Sequence, residues 1–524
     1  MRQHLVAVDV GTGSARAGVF DGSGTLMARA THPILMRRPK ENHAEHDSAD
    51  IWSSVCLSVR QAMRDAAIPA AHIAAIGFDA TCSLVVRGPA GQQVTVSSTA
   101  EDRFDTIVWL DHRAIQEADF LTASGHPVLN FSGQTVSPEM QIPKLMWLKK
   151  HLPHSWAKAG YFFDLADFLT WKASGSSKRS NCTLTAKWNF LSHKDNGWSE
   201  DYLKLAGIDD LLQRGALPAH TVAPGESVGK LSPQAAEELG LDTGCEVAAG
   251  MIDAYAGALG ALGGSLQSDV GSNVALIAGT SSCLVTLTPT LMPGRSLWGP
   301  YWQAVLPGHW LVEGGQSATG ALLDHIVQMH AAGGEPTSAL HARIVDRVLE
   351  LRGIEGEDFA DHLHVLPDFH GNRSPLADPH ARGVISGLTL DTSFDSLCRL
   401  YWRTAVSIAL GARHVLDAMA GFGYAVETLH VTGGHVHNPL LMELYADVTG
   451  KRIVVPSTAD AVLLGTAMTA ASAGGVHKGL VAAGAVMYPG GEEKPSNPAL
   501  AGRYDRDYRR FLAMYRHREE LDRI

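Results

Sequence analysis

Cysteine is scarce in this 524-residue chain, and its six copies, Cys56, Cys82, Cys182, Cys245, Cys283 and Cys398, lie far apart. No two have C-x-x-C spacing, which excludes the usual zinc modules and the disulfide frameworks of small secreted domains. A reducing cytoplasm is the compartment this predicts. Long apolar runs are missing too. The most apolar stretch, Ala461 to Gly475, is rich in Ala, Gly and Thr, and it falls short of the ~20 residues a membrane span needs. It reads as a tightly packed buried helix, so no membrane partner is expected. No secretory leader is expected either, because the apolar stretch after Met1-Arg2-Gln3-His4 is broken at Asp9. Positive charge is in deficit: 43 Lys and Arg stand against 54 Asp and Glu, a formal net charge of −11. That argues against nucleic acid as the main partner. A bound polyanion would need local backbone N–H groups, a few Lys or Arg, and a metal. What is present is ordinary for a globular protein, 45% hydrophobic and 19% charged. At roughly 100–200 residues per domain, two large domains fit the length.

The first residues, Leu5 to Phe20, read as strand, Gly-rich turn and strand, and Thr25 to Ala30 can pair as a third strand. A second copy begins at Val274. Val6 matches Val274, Ala7 matches Ala275, Gly11-Thr12 matches Gly279-Thr280 and Ser14 matches Ser282, all at an offset of 268. The repeated order predicts a duplicated α/β domain, with Gly260 to Ser265 as a hinge before the second copy. Asp47 or Ser48 can cap a helix through Ile51, Trp52, Val55 and Val59. Ile73 to Asp79 and Thr428 to Gly434 read as buried strands. Tyr504, Tyr508, Phe511 and Tyr515 form one apolar stripe on a charged C-terminal helix that should dock on the body. The expected domains are 1–264 and 265–484, with a docked helical tail over 485–524.

A Gly-Thr-x-Ser turn between strands exposes consecutive N–H groups and hydroxyls that can cradle a phosphate chain. Two such turns facing each other would grip a triphosphate from both sides; the competing reading is a pair of ordinary hairpin turns. Neither a dinucleotide fingerprint nor a Walker A loop fits, since Arg16 replaces the third Gly and Leu231 follows Lys230. Gly225 to Leu231 therefore reads as a surface turn. Asp9 ends the first strand beside the turn, where a carboxylate suits Mg²⁺. Asp253 sits at a strand end and helix start, which fits either a helix N-cap or a chemical role. His43-Ala44-Glu45-His46-Asp47 reads as a solvated loop rather than a metal site.

Taken together these segments resemble the FGGY family of carbohydrate kinases. Asp9-x-Gly11-Thr12-x-Ser14 is similar to its first phosphate motif, Gly250 to Ala254 to its catalytic-aspartate segment, and Gly279-Thr280-Ser281-Ser282 to its second phosphate motif. Gly433 to Leu441 is similar to its adenosine segment. Pro143 to Leu148 and Gly383 to Leu388 echo its two signature regions, with departures at Glu139, Gln141 and Ser396. The resemblance implies two RNase H-like, actin-like ATPase domains with MgATP in the cleft between them. It implies nucleotide contacts at Gly11, Thr12, Gly13, Ser14, Arg16, Gly279, Thr280, Ser281, Ser282, Gly433, Gly434 and Asn438, and Mg²⁺ at Asp9 and Asp253.

Within the family, Thr81-Cys82-Ser83-Leu84-Val85 resembles the D-ribulokinase motif of the pentulose-kinase branch. Thr185 to Trp188 and Glu313 to Gln316 resemble the segments that supply a substrate Lys and Glu. The implied substrate residues are Thr81, Cys82, Ser83, Lys187, Trp188, Asp253 and Glu313, with Trp188 stacked on the carbon skeleton. Asp253 would be the catalytic base for transfer of the γ-phosphoryl of ATP to D-ribulose, giving D-ribulose 5-phosphate. Kinases for ribitol, L-ribulose or D-xylulose would share every ATP motif. An actin-like ATPase without a sugar would need neither Lys187 nor Glu313. A homodimer is compatible with all of these readings.

Overall fold

The computed structural model describes residues 2–292 and 294–524; Met1, the first residue of the expected N-terminal domain, lies outside the described residues. The first sheet starts with the meander the sequence predicts, β1 (His4–Val10), β2 (Ser14–Phe20) and β3 (Leu26–Pro33). On the other side of β1 lies β6 (Ile73–Ala80), parallel to it. The short β11 (Glu246–Ala248) and β12 (Met251–Ile252) run parallel to β6, and β10 (Ser227–Lys230) closes the edge. The segment expected as a surface turn, Gly225 to Leu231, thus supplies an edge strand; edge pairing asks little of its sequence, which is why no strong pattern announces it. β1 and β6 are buried along almost their whole length, as central strands covered on both faces must be.

The second sheet repeats the plan. β13 (Asn273–Ala278), β14 (Ser282–Thr288), β16 (Trp310–Gln316) and β15 (Trp298–Trp302) are antiparallel neighbours. β19 (Thr428–Thr432) and β20 (Arg452–Pro456) continue in parallel beyond β13, and β21 (Gly491–Lys494) adds an antiparallel edge. β2 and β14 correspond residue for residue under the predicted offset. The expected tail from 485 therefore begins inside a helix, Leu480–Met487, and contributes a strand before its own helix. A lobe inserted in the first half carries a third sheet, β4 (Met36–Arg37), β5 (Glu45–His46), β8 (Thr106–Ile107), β7 (Leu84–Arg87) and β9 (Tyr161–Asp164). Strands β17 (His364–Leu366) and β18 (Val384–Ser386) form a small hairpin sheet in the second half.

Two helices cross between the halves. Asp253–Leu262 leaves β12 of the first sheet and packs on β13 and β19 of the second. Ala461–Ala473, from the second half, packs on β1 and β6 of the first. Where they cross, backbone touches backbone: a Cβ at Gly465 would lie 1.9 Å from the Ala256 carbonyl oxygen, and one at Gly260 would lie 2.0 Å from that of Ala461. Only glycine fits at so close an approach. The Ala/Gly-rich composition of Ala461–Ala473 is thus explained by packing. The segment expected as a hinge, Gly260 to Ser265, is the end of the first crossing helix and a 3₁₀ turn. Among the described residues no helix is long and apolar enough to cross a membrane. The final helix, Ala501–Asp522, buries the expected stripe Tyr504, Tyr508, Phe511 and Tyr515.

Candidate active site

In this topology the parallel strands of the first sheet all end at one place, beside the crossing helix. Asp9 ends β1 opposite Asp79 of β6, while β12 runs directly into Asp253. Asp9 and Asp79 are buried and Asp253 is half-buried. Burial, reinforced by the charge of Asp9, pushes the Asp253 carboxyl up to about 6. Burial also raises Asp9, against the pull of Arg16, and raises Asp79 still further with help from Asp9. Arg16 pairs with Asp9 and reaches Asp460 at 3.1 Å; Thr466 of the second crossing helix donates to Asp79. The helix N-cap position belongs to Ile252, not Asp253, and the Asp253 carboxylate accepts only the neighbouring Ala254 N–H, at 2.7 Å. Capping therefore does not account for this aspartate.

The two predicted turns lie at the ends of equivalent hairpins. In the first, Gly11 N donates to Ser14 O at 3.0 Å; in the second, Gly279 N donates to Ser281 O at 2.9 Å. A Cβ on Gly13 or Gly434 would meet no protein atom within 4 Å, and on Gly11 or Gly279 none closer than 3.8 Å. None of these four has positive φ. Neither packing nor backbone conformation asks for glycine at these positions, so they fit a cradle closed by a ligand. Gly433 differs, with φ +92° and a hypothetical Cβ 2.4 Å from the Ala278 oxygen, so its own fold demands glycine. Thr280, Gly433 and Gly434 are exposed. Ser282, expected to contact nucleotide, is buried instead: its hydroxyl lies 2.9 Å from that of Thr319, which bonds Gly279 O at 3.1 Å. It braces the turn from beneath. Asn438 caps the helix Pro439–Thr449 through Leu440 N and donates to the Tyr401 hydroxyl at 3.3 Å, so its side chain is committed to structure.

The sugar-motif residues gather beside Asp253. The Thr81 and Ser83 hydroxyls lie 3.1 Å apart, and Cys82, its thiol pushed up to about 11 by burial, holds Gln141 through its carbonyl. Lys187 ends the helix Asn181–Lys187. Burial alone would lower its pKa, but Cys82, Glu313, Tyr301 and Glu139 outweigh that and hold the ammonium charged. Glu313 on β16 accepts from the Tyr255 hydroxyl at 3.0 Å and from the Cys283 thiol at 3.2 Å. Trp188 departs from expectation. It is 1% exposed and sits in the lobe core with Leu184 and Phe190, offering no face for a sugar. The apolar content of its neighbours decides this, and a Lys-Trp pair in sequence cannot reveal which member points inward. The His43 to Asp47 segment is not solvated either: His43, Glu45 and His46 are buried around β5. Among the described residues no three His, Cys, Asp or Glu side chains group as a metal cage.

Sequence reasoning missed several residues. Trp109 links the two predicted sites: its backbone N–H donates to Ser83 Oγ at 3.1 Å and its indole N–H to Thr12 Oγ1 at 2.9 Å. Glu139 of the first half meets Arg373 of the second at 3.2 Å, with Arg373 and Lys187 holding the Glu139 carboxyl low against its burial. No local pattern marks Trp109 or Arg373; only the departure at Glu139 from its signature hinted that this position had been fitted to something.

Comparison with known proteins gives a consistent picture. Residues 4–260 match the N-terminal domain model of the FGGY family of carbohydrate kinases, and residues 274–474 match the C-terminal one. A human FGGY carbohydrate kinase domain-containing protein is 40% identical, covering 99% of this chain and 97% of its own length. The D-ribulokinase of Saccharomyces cerevisiae is 35% identical over 89% of this chain and 71% of that protein. In structure, the chain superposes on a xylulose kinase from Rhodospirillum rubrum with a TM-score of 0.81 at 23% identity, covering 99% of both.

Proposed function

The chain belongs to the FGGY family of carbohydrate kinases, and from that premise we propose that it phosphorylates a pentulose, D-ribulose, to D-ribulose 5-phosphate with MgATP. The observation that carries this reading is the gathering of Lys187 and Glu313 beside Asp253, whose preceding residue Ile252 pairs with Ala80, next to Thr81-Cys82-Ser83. Its similarity to the yeast D-ribulokinase favours D-ribulose over other polyols. Charged groups give a polyol directional hydrogen bonds stronger than neutral ones. In the proposed reaction Asp253 takes the proton of the attacking hydroxyl, the new O–P bond forms at the γ-phosphoryl, and ADP leaves. A carboxyl with pKa about 6 is ionised at neutral pH yet more basic than a free aspartate, as a general base requires.

Asp9 and Asp253 would hold Mg²⁺, which keeps several waters and takes one or two protein carboxylates beside phosphates. The like-charge repulsion between them fits that donor set; bound there, Mg²⁺ supplies charge neutralisation for the phosphates. Lys187 and Glu313 orient the sugar, and the exposed glycine turns admit the triphosphate. The rival expectation of an actin-like ATPase without a sugar gives way to carbohydrate-kinase membership. The test is ADP release by the purified protein with D-ribulose, L-ribulose, D-xylulose, ribitol and glycerol. D-ribulose is expected to give the highest kcat/KM; a tenfold preference for another member, about 1.4 kcal/mol, would move the assignment to that sugar.

A further inference from the structure

The loop between β17 and β18 crosses from the second half to the sugar pocket, and the C-terminal helix holds it. At its tip, the Arg373 guanidinium meets Glu139 at 3.2 Å and the Cys283 sulfur at 3.8 Å. Cys283 in turn donates to Glu313, so Arg373 touches Glu139 directly and reaches Glu313 through one intervening residue. His370 of the same loop stacks on His112 of the first half, ring centroids 6.1 Å apart. The base of the loop is fixed from behind. Asp368 accepts from Arg518 at 2.7 Å and from Tyr515 at 3.3 Å, and Asn372 donates to Asp368 at 2.9 Å and to the Tyr515 hydroxyl at 3.1 Å. On the far side, Ser374 N bonds Gly315 O at 3.1 Å, two residues from Glu313. Asp368, Asn372, Tyr515 and Arg518 are all buried.

We infer that Arg373 is a further substrate-positioning residue of the sugar site, and that Tyr515 and Arg518 of the C-terminal helix set its place through Asp368 and Asn372. This rests on the sugar-kinase reading above. A neutral polyol presents only hydroxyls, and a guanidinium fixed by a carboxylate at one edge offers its remaining N–H groups as a rigid set of donors. Rigidity matters because a misplacement of about 1 Å at such a group costs up to about 10²-fold in rate. Buried hydrogen bonds to Asp368 and Asn372 supply that rigidity from a helix otherwise remote from the chemistry.

The test uses the full chain and the sugar that wild type phosphorylates best. Arg373→Gln is expected to raise KM for the sugar at least tenfold while KM for ATP stays within twofold. Tyr515→Phe, which removes only a hydroxyl, is expected to raise sugar KM severalfold, again without moving KM for ATP. In the Arg373→Gln background Tyr515→Phe should add nothing. A helix that merely stabilises the fold would instead lower the melting temperature and leave both KM values unchanged, or would add its effect in full to that of Arg373→Gln; either result overturns the proposal. If Arg373→Gln does not fold, Arg373→Lys takes its place with the same expectation. Wild type inactive on every sugar removes the kinase reading and this one with it, whereas active wild type with silent variants removes only this one.

Discussion

The two halves share a scaffold and differ in what they place at its equivalent positions. Under the offset of 268, Asp9 corresponds to Ile277 and Arg16 to Leu284. The cross-strand neighbour of Asp9 is Asp79, whereas that of Ile277 is Thr432. The first half therefore ends its strands in an acidic cluster to which Arg16 is paired, and the second ends its strands in apolar and hydroxyl groups. Yet the glycine turns are kept in both. The lesson is that the turn is what the two halves share, which fits the proposed function, since backbone N–H groups would serve a phosphate chain from either side. Charged chemistry needs to be supplied once, and a second acid cluster facing the same polyanion would repel it.

The largest test of that asymmetry is Asp253→Asn. As a base Asp253 contributes about 10²–10⁴-fold in rate, so kcat is expected to fall by that much while MgATP binding, measured by calorimetry, changes far less. Because Ile252 holds the cap position and burial disfavours the Asp253 charge, the melting temperature should stay or rise rather than fall; near-normal kcat would leave Asp253 without a chemical role. The same group fixes the pH dependence. The base must be ionised, so kcat should rise with pH and then level off; about 6 is the value for the metal-free carboxyl, and Mg²⁺ beside it favours the ionised form and draws the acid limb lower. Asp9→Asn removes one cause of the raised pKa, so in the metal-free protein the Asp253 carboxyl, followed by NMR, should titrate at lower pH, though only in part because burial is the larger cause.

At the crossing of the two helices the halves are joined rather than contrasted. Gly465→Ala would push a methyl into the Ala256 carbonyl. Overpacking of this kind costs about 1–3 kcal/mol, visible as a lower melting temperature, with sugar specificity unchanged. The smallest expected effect separates the two adjacent glycines of the second half. Gly434→Ala meets no protein atom, so it should leave stability intact and raise KM for ATP about tenfold, ~1.4 kcal/mol. Gly433→Ala, at φ +92°, should lose stability first. Equal behaviour of the two variants would remove the ligand from the explanation of Gly434.

Much of this was legible in residue order alone. Apolar strand, Gly-Thr turn and apolar strand, twice at one offset, specify two meanders, because strand periodicity and turn chemistry are local properties. The aromatic stripe of the last helix and the Ala/Gly-rich helix were legible for the same reason. Asp9 and Asp253 stood out because each closes an apolar strand at a boundary. Burial direction was not legible. Lys187 and Trp188 are adjacent, and only the lobe core decides that the indole turns in; Ser282 looks like its counterpart Ser14 until Thr319 is seen beneath it. The buried His43–His46 segment looked polar because its partners, such as Asp111 and Arg113, are distant in sequence.

The sequence by itself determined the two meanders, their duplication, the turn positions and the acids at strand ends, since each follows from the neighbours along the chain. Tertiary structure alone decided which groups share the cleft. Glu139 and Arg373, or Asn372 and Tyr515, stand 234 and 143 residues apart, and no local propensity links such pairs. Glu139 and Arg373 meet because the crossing helices fix one half against the other through glycine contacts that admit no other residue, and Asn372 and Tyr515 because a buried hydroxyl must find its partner wherever the fold brings one.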